Sequence, residues 1–221
     1  MLSSPLGGTV LDDYLRGADD RRVLEERMKA EGRLPPGQSL TLKWPVLHAG
    51  AVPRFDPGSW DFRVGGLVEA PLELSYDEFA ALPRTEVVSD FHCVTRWSTF
   101  DNRWEGVAFR ELLCRVKAQS AATHVMVLGH VGETRYGYQT NVPLADLDRP
   151  EVLLACRNNG RDLEPDHGWP LRLVVPHLYA WKSCKWVRGL IFMDADKPGY
   201  WEKAGYHMYG DPFREQRFST G

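Results

Sequence analysis

Two short stretches of this chain hold residue types that do chemistry at suggestive spacing. Residues 91–98 read FHCVTRWS, which sets Cys93 between His92 and Arg96 with Trp97 close behind. Positive charge near a thiol favours the thiolate, the form that acts as a nucleophile, a redox group or a soft metal ligand. The alternative is a half-buried cysteine at a strand end, with His92 an alternating strand residue and Arg96 a surface ion-pair partner. Residues 167–186 read HGWPLRLVVPHLYAWKSCKW. His167 and Arg172 flank the start of an apolar strand, and a loop after it carries Lys182, Ser183, Cys184 and Lys185. Lysines, a hydroxyl and loop amides suit a phosphate or pyrophosphate, because cations and N–H donors meet its oxygens directly. A solvated basic loop explains the same residues, and Cys184 reads most simply as a packing residue. No GxxxxGK[ST] stretch occurs, which excludes the glycine-rich nucleotide loop.

Positioning such residues requires an ordered scaffold, and the composition supplies one. The chain has 221 residues, 43% hydrophobic and 26% charged, enough for a sizeable core. A formal net charge of -3 points to neither a nucleic-acid surface nor a polybasic membrane anchor. Fifteen prolines, twenty glycines and eight tryptophans suggest a loop-rich, partly β fold. The four cysteines (Cys93, Cys114, Cys156, Cys184) form no CxxC pair, so neither a structural zinc site nor a disulfide framework is expected. The N-terminal sequence has no basic segment followed by an apolar run, and charged residues follow Arg21-Arg22. The expectation is therefore no signal peptide, no membrane span and a cytoplasmic location.

The periodicities predict a helix over about 12–31, forming an N-terminal arm over 1–45, then one mixed domain over 46–221. In that domain Trp60, Phe62 and Val64 alternate as in a strand, and SYDEFAALP predicts a short helix with a Ser75–Glu78 capping box. TEVVSDFHC, HVMVLGH, EVLLACRNNGRDLEP, LRLVVP and VRGLIFMD predict strands, the third entering a hairpin at Asn159-Gly160, and 109–116 a further helix. The fold class expected is α+β with predominant sheet.

FHCVTRWS, the LHAGAVP segment and HGWPLRLVVP…WKSCKW together resemble the molybdopterin-binding domain of the sulfite oxidase family, over roughly 45–195. The match is nearest to the small single-domain bacterial members related to the methionine sulfoxide reductase catalytic subunit. The resemblance implies a mainly β domain of that type, a molybdopterin cofactor, and Cys93 as the thiolate ligand of molybdenum. It implies that His167 and Arg172 hold the pterin and its phosphate, with Ser183, Cys184 and Lys185 as the following loop tripeptide. His48 stands where relatives place an asparagine against the pterin, and His130, after Gly129, lies near another cofactor contact. Arg96, His92 and Tyr206 are the candidates for orienting substrate.

The departures from the family pattern also carry meaning. Leu47 replaces an arginine of the sulfite pocket and only Arg96 represents the basic run after the cysteine; the expectation is also that the family's C-terminal dimerisation domain is missing. A dianion needs several converging cations to offset its desolvation, so sulfite is disfavoured. The expectation is oxygen-atom or two-electron transfer on a small molecule by a monomer, with electrons from a separate donor or acceptor protein. A catalytically silent pterin-binding protein, and a metal-free thiol catalyst, are the alternatives. The aromatic segment PGYWEKAGYHMYGDPFREQRF either folds over the pocket, through Tyr200, Trp201, Tyr206 and His207, or seals a sheet edge.

Overall fold

The structure is a computed structural model describing residues 10–131 and 134–219. In chain order its elements are α1 (Val10–Ala30), β1 (Ser39–Leu40), β2 (Asp61–Gly66), β3 (Leu72–Ser75), α2 (Tyr76–Ala80), β4 (Thr85–His92), β5 (Trp97–Ala108) and α3 (Phe109–Val116). There follow β6 (His124–Val131), β7 (Thr134–Pro143), α4 (Leu144–Leu147), β8 (Leu153–Asn158), β9 (Arg161–Asp162), β10 (Arg172–Val174), β11 (Val187–Met193) and α5 (Tyr200–Lys203). Single 3-10 turns at Pro165–His167 and Ala180–Lys182 flank β10.

The strands form two sheets. One runs β1-β5-β8-β10, with β4 also on β5 and β9 on β8; the other runs β3-β2-β11-β6-β7. Their facing sides share one core. Phe62 and Val64, Val125 and Val127, and Leu190 and Phe192 come from the second sheet. They meet Val107, Leu154 and Leu173 from the first, as period-2 alternation requires. This is the mainly β, mixed architecture expected. Among the described residues no helix is long and apolar enough to cross a membrane.

Several local expectations hold for their stated reasons. The Ser75 N–H donates to Glu78 Oε2 at 2.8 Å and the Glu78 N–H to Ser75 Oγ at 3.3 Å, a complete capping box. Asn159 and Gly160 both take positive φ (49° and 76°) in the β8–β9 hairpin, the conformation that favours this dipeptide. The arm is not separate from the sheet, because Ser39 and Leu40 pair with Trp97 and Ser98 in parallel.

Candidate cofactor site

The hairpin joining β4 to β5 places Cys93 at its tip. The Arg96 N–H donates to the Cys93 carbonyl at 3.1 Å and the Cys93 N–H to the Trp97 carbonyl at 2.9 Å, while Arg96 has φ 71°. This is a tight turn followed by a left-handed residue, a standard way to close a short hairpin. It explains where Arg96 points. That residue is exposed at the back of the turn, near Gly37, and is not among the cavity walls. His92 turns the other way along the strand and is buried; its Nδ1 lies 2.9 Å from Ser98 Oγ, and its ring meets Phe100 and Phe213 edge-on. Burial holds its pKa down at about 4, so it is neutral near pH 7. The geometry thus removes Arg96 and His92 from the cavity that Cys93 faces, because alternate residues of a strand and its turn point to opposite sides.

That cavity, of about 150 Å³, is lined by Cys93 and Thr95 from the turn, by His48, and by His167, Arg172, Ser183 and Lys185 from the second motif. Tyr206 completes its wall from the tail, with Trp201 beside it. Residues far apart in sequence therefore meet at one cavity. Cys93 Sγ lies 3.2 Å from Thr95 Oγ1, and burial pushes the thiol pKa up. The cationic neighbours expected of a thiolate are Lys185 and Arg217, which act in the opposite direction, and not His92.

The cationic end is built from β10 and its flanking turns. Arg172 is buried, donating to the carbonyls of His167 (2.9 Å) and Ser183 (3.2 Å) and lying 5.0 Å from the Phe91 ring centre. Lys185 Nζ donates to the carbonyls of Leu47 (3.0 Å) and Asp166 (2.6 Å). His167 stacks on Trp44 at 3.8 Å between ring centres. Burial lowers all three pKa values: Arg172 to about 10, Lys185 to about 7 with Arg172 adding repulsion, and His167 to about 4. The Ser183 hydroxyl is already committed, accepting from the Val175 N–H at 3.0 Å.

Other candidates lie elsewhere. Cys184 is wholly buried in the main core, so its side chain packs, as the residue-level reading had it, and does not reach the cavity. His130 lines a separate cavity of about 70 Å³ with Trp186 and Arg188 and is not among the walls of the Cys93 pocket. His48 sits between, edge-on to Trp186 at 5.1 Å. Lys182, a candidate phosphate ligand, instead forms a fully buried ion pair with Glu202 at 2.7 Å and donates to the Asn141 and Met208 carbonyls. That pair fastens α5 to the core and carries Trp201 and Tyr206 to the pocket. Tyr200 and His207 are not pocket walls; His207 Nδ1 accepts the Tyr209 N–H at 2.9 Å, bracing the tail. Sequence reasoning missed Trp44, Tyr138, Trp181 and Thr95, which also line the cavity. No short-range spacing marks them, though the tryptophan in KWPVLH was a signal of the kind that tryptophans near a site provide.

The donor set fits a phosphate-bearing pterin. Among the described residues neither Arg172 nor Lys185 pairs with a carboxylate, and the buried His167 Nδ1 and Arg172 Nε have no hydrogen-bond partner. Buried cations and orphaned donors are costly unless a ligand completes them. A thiol faces the same space, which suits a soft metal.

Comparison with known proteins agrees. The family model for the oxidoreductase molybdopterin binding domain matches residues 49–201. An uncharacterized oxidoreductase, YuiH, of Bacillus subtilis is 46% identical over 85% of this chain and 93% of its own length. The protein-methionine-sulfoxide reductase catalytic subunit MsrP of Ralstonia nicotianae is 28% identical over 75% of this chain, which spans 52% of that protein. A nitrate reductase of Ulva prolifera is 32% identical over 74% of this chain but only 22% of its own length. The sulfane dehydrogenase SoxCD of Paracoccus pantotrophus shares the fold, with a TM-score of 0.58 at 21% identity, covering 76% of this chain and 52% of its own. A pocket with this donor set, in a fold and sequence shared this widely, has one assignment: the chain belongs to the oxidoreductase molybdopterin-binding domain family, a sulfite oxidase-type domain whose cofactor is molybdopterin.

Proposed function

We propose that this oxidoreductase transfers an oxygen atom to or from a small neutral molecule, with Cys93 as the protein's ligand to molybdenum. When bound, the cofactor supplies a redox metal that changes by two electrons as the substrate gains or loses oxygen. Cys93 presents its sulfur at the tip of a rigid hairpin, and the Thr95 hydroxyl, 3.2 Å away, is placed to donate to that sulfur once it is a thiolate. Arg172 and Lys185 hold the phosphate, since they are the buried cations of the wall and pair with no carboxylate among the described residues.

The observation that carries the substrate reading is the division of the cavity. Its cations sit on β10 and the loop after it, where the phosphate takes them. The rest of the wall includes Trp97, Trp181, Trp201, Tyr138 and Tyr206, together with Leu47, and holds no further lysine or arginine among the described residues. An anion entering there meets no lysine or arginine side chain in that part of the wall, whereas a neutral sulfoxide or N-oxide needs one hydrogen-bond donor for its oxygen. Tyr206 is that donor. Burial first, and then Cys93, raise its pKa, so the phenol keeps its proton. Trp201 stacks on its ring at 5.1 Å and Trp181 meets it edge-on at 5.1 Å, which fixes its direction and excludes water. Electrons come from, or pass to, a separate redox protein.

The test is turnover with a dye donor or acceptor across neutral sulfoxides, N-oxides, sulfite and nitrate. Neutral oxides are expected to turn over, and Cys93→Ala to abolish it. Faster turnover of sulfite or nitrate overturns the substrate assignment, and full activity of the alanine variant overturns the role of Cys93.

A further inference from the structure

The Cys93 turn is held from outside by residues that no motif contains. Gln38, in the arm just before β1, donates from Nε2 to the Cys93 carbonyl at 2.9 Å. Arg217, in the tail, donates to the Val94 carbonyl at 2.7 Å and to the Pro36 carbonyl at 3.3 Å, tying turn, arm and tail together. Both residues are 6% exposed. The guanidinium also lies 5.0 Å from the Tyr179 ring centre.

Packing alone does not call for an arginine at this place. A buried guanidinium costs several kcal/mol of desolvation, and main-chain carbonyls offset only part of it. Among the described residues the nearest carboxylate, Glu215, is 3.8 Å away and half exposed, and Arg217 Nε has no hydrogen-bond partner. A fixed, poorly compensated cation therefore rests against the residue next to Cys93. Each electron added to a metal on Cys93 adds negative charge there, and a fixed cation in a low-dielectric setting favours that charge.

We propose that Arg217 is a positioning residue for the redox centre: it clamps the Cys93 turn through Val94 and biases the centre toward its reduced state. The proposal rests on the reading of Cys93 as the metal ligand. It makes the arm and tail part of the working site, and Gln38 its uncharged counterpart.

The experiment uses full-length protein from a host that makes the cofactor, as unsubstituted chain, Arg217→Lys and Arg217→Met. Molybdenum content, circular dichroism and a dithionite titration followed by electron paramagnetic resonance are measured on each. The methionine variant is expected to keep its metal, shift its midpoint to more negative potential and change the signal of the reduced metal. The lysine variant, which keeps the charge, is expected to stay near the unsubstituted potential. A methionine variant with unaltered potential and signal overturns the proposal, as does a lysine variant shifted as far as the methionine one. Should Arg217→Met lose its fold by circular dichroism, Gln38→Met decides. Removing that donor is expected to alter the signal at unchanged metal content, and an unaltered signal overturns the positioning role. If the unsubstituted protein carries no molybdenum, the cofactor reading fails first and this proposal with it.

Discussion

Lys185 offers the most quantitative consequence of the site. Its ammonium is buried against two carbonyls and beside Arg172, and its pKa falls from 10.5 to about 7. Between those values the unfolded chain binds a proton that the folded, cofactor-free chain does not, so this residue's contribution to stability rises with pH. From pH 7 to pH 8.5 the rise amounts to about 1.6 kcal/mol, at 1.36 kcal/mol per pKa unit and with the site half titrated at the start. Buried thiols whose pKa values are raised, at Cys93, Cys156 and Cys184, act in the opposite sense as the unfolded thiols ionise. The readout is therefore the difference between the unsubstituted protein and Lys185→Met. Urea unfolding of both, cofactor-free, at pH 7, 7.5, 8 and 8.5 should show the difference shrinking by about 1.6 kcal/mol. The methionine variant is the more stable at pH 7, because it removes an uncompensated buried charge. Inorganic phosphate, by supplying the missing countercharge, should flatten the pH dependence of the unsubstituted protein alone. A difference that does not change with pH, or a phosphate effect equal in both proteins, refutes the assignment of Lys185 as a ligand-less phosphate cation.

Other parts of the structure make equally definite predictions. Arg96→Gly relieves a left-handed arginine outside the cavity, so thermal melting should show stabilisation of about 1 kcal/mol with turnover within about twofold of the unsubstituted enzyme. Glu202→Gln leaves Lys182 buried without its counter-ion, and denaturant unfolding should show a loss of about 3–5 kcal/mol. Tyr206→Phe removes the phenol proposed to orient the substrate oxygen; steady-state kinetics should show kcat/KM falling by about tenfold for neutral oxides, with metal content unaltered.

Much of the fold was legible because its signals are local. Ser75 and Glu78 announce a capping box, Asn159-Gly160 a tight hairpin, and the alternation of Trp60, Phe62 and Val64 a strand. Strand β5, twelve residues long, carries no such pattern; polar residues interrupt it, and Asp101 takes a positive φ within it. Its pairing with β4 and β8, not its own periodicity, makes it a strand. The site shows the same division. Cys93, His167, Arg172 and Lys185 stood out by type and spacing, and the fold brings them together. His92 and Arg96 stood out equally, yet strand alternation and a left-handed turn residue send both away from the cavity. By residue type alone Lys182 was indistinguishable from Lys185, because only the tertiary fold gives it Glu202 as a partner. Gln38 and Arg217 had no signal at all, since their role depends on arm and tail meeting at one turn.

The central claim is that Cys93 binds molybdenum in a pterin pocket. Its most direct test is metal analysis of protein from a cofactor-competent host, with electron paramagnetic resonance after mild dithionite reduction, on the unsubstituted chain and Cys93→Ala. The account predicts about one molybdenum per chain, a reduced-metal signal, and loss or alteration of that signal in the alanine variant. A metal-free protein, or an identical signal from both chains, contradicts it.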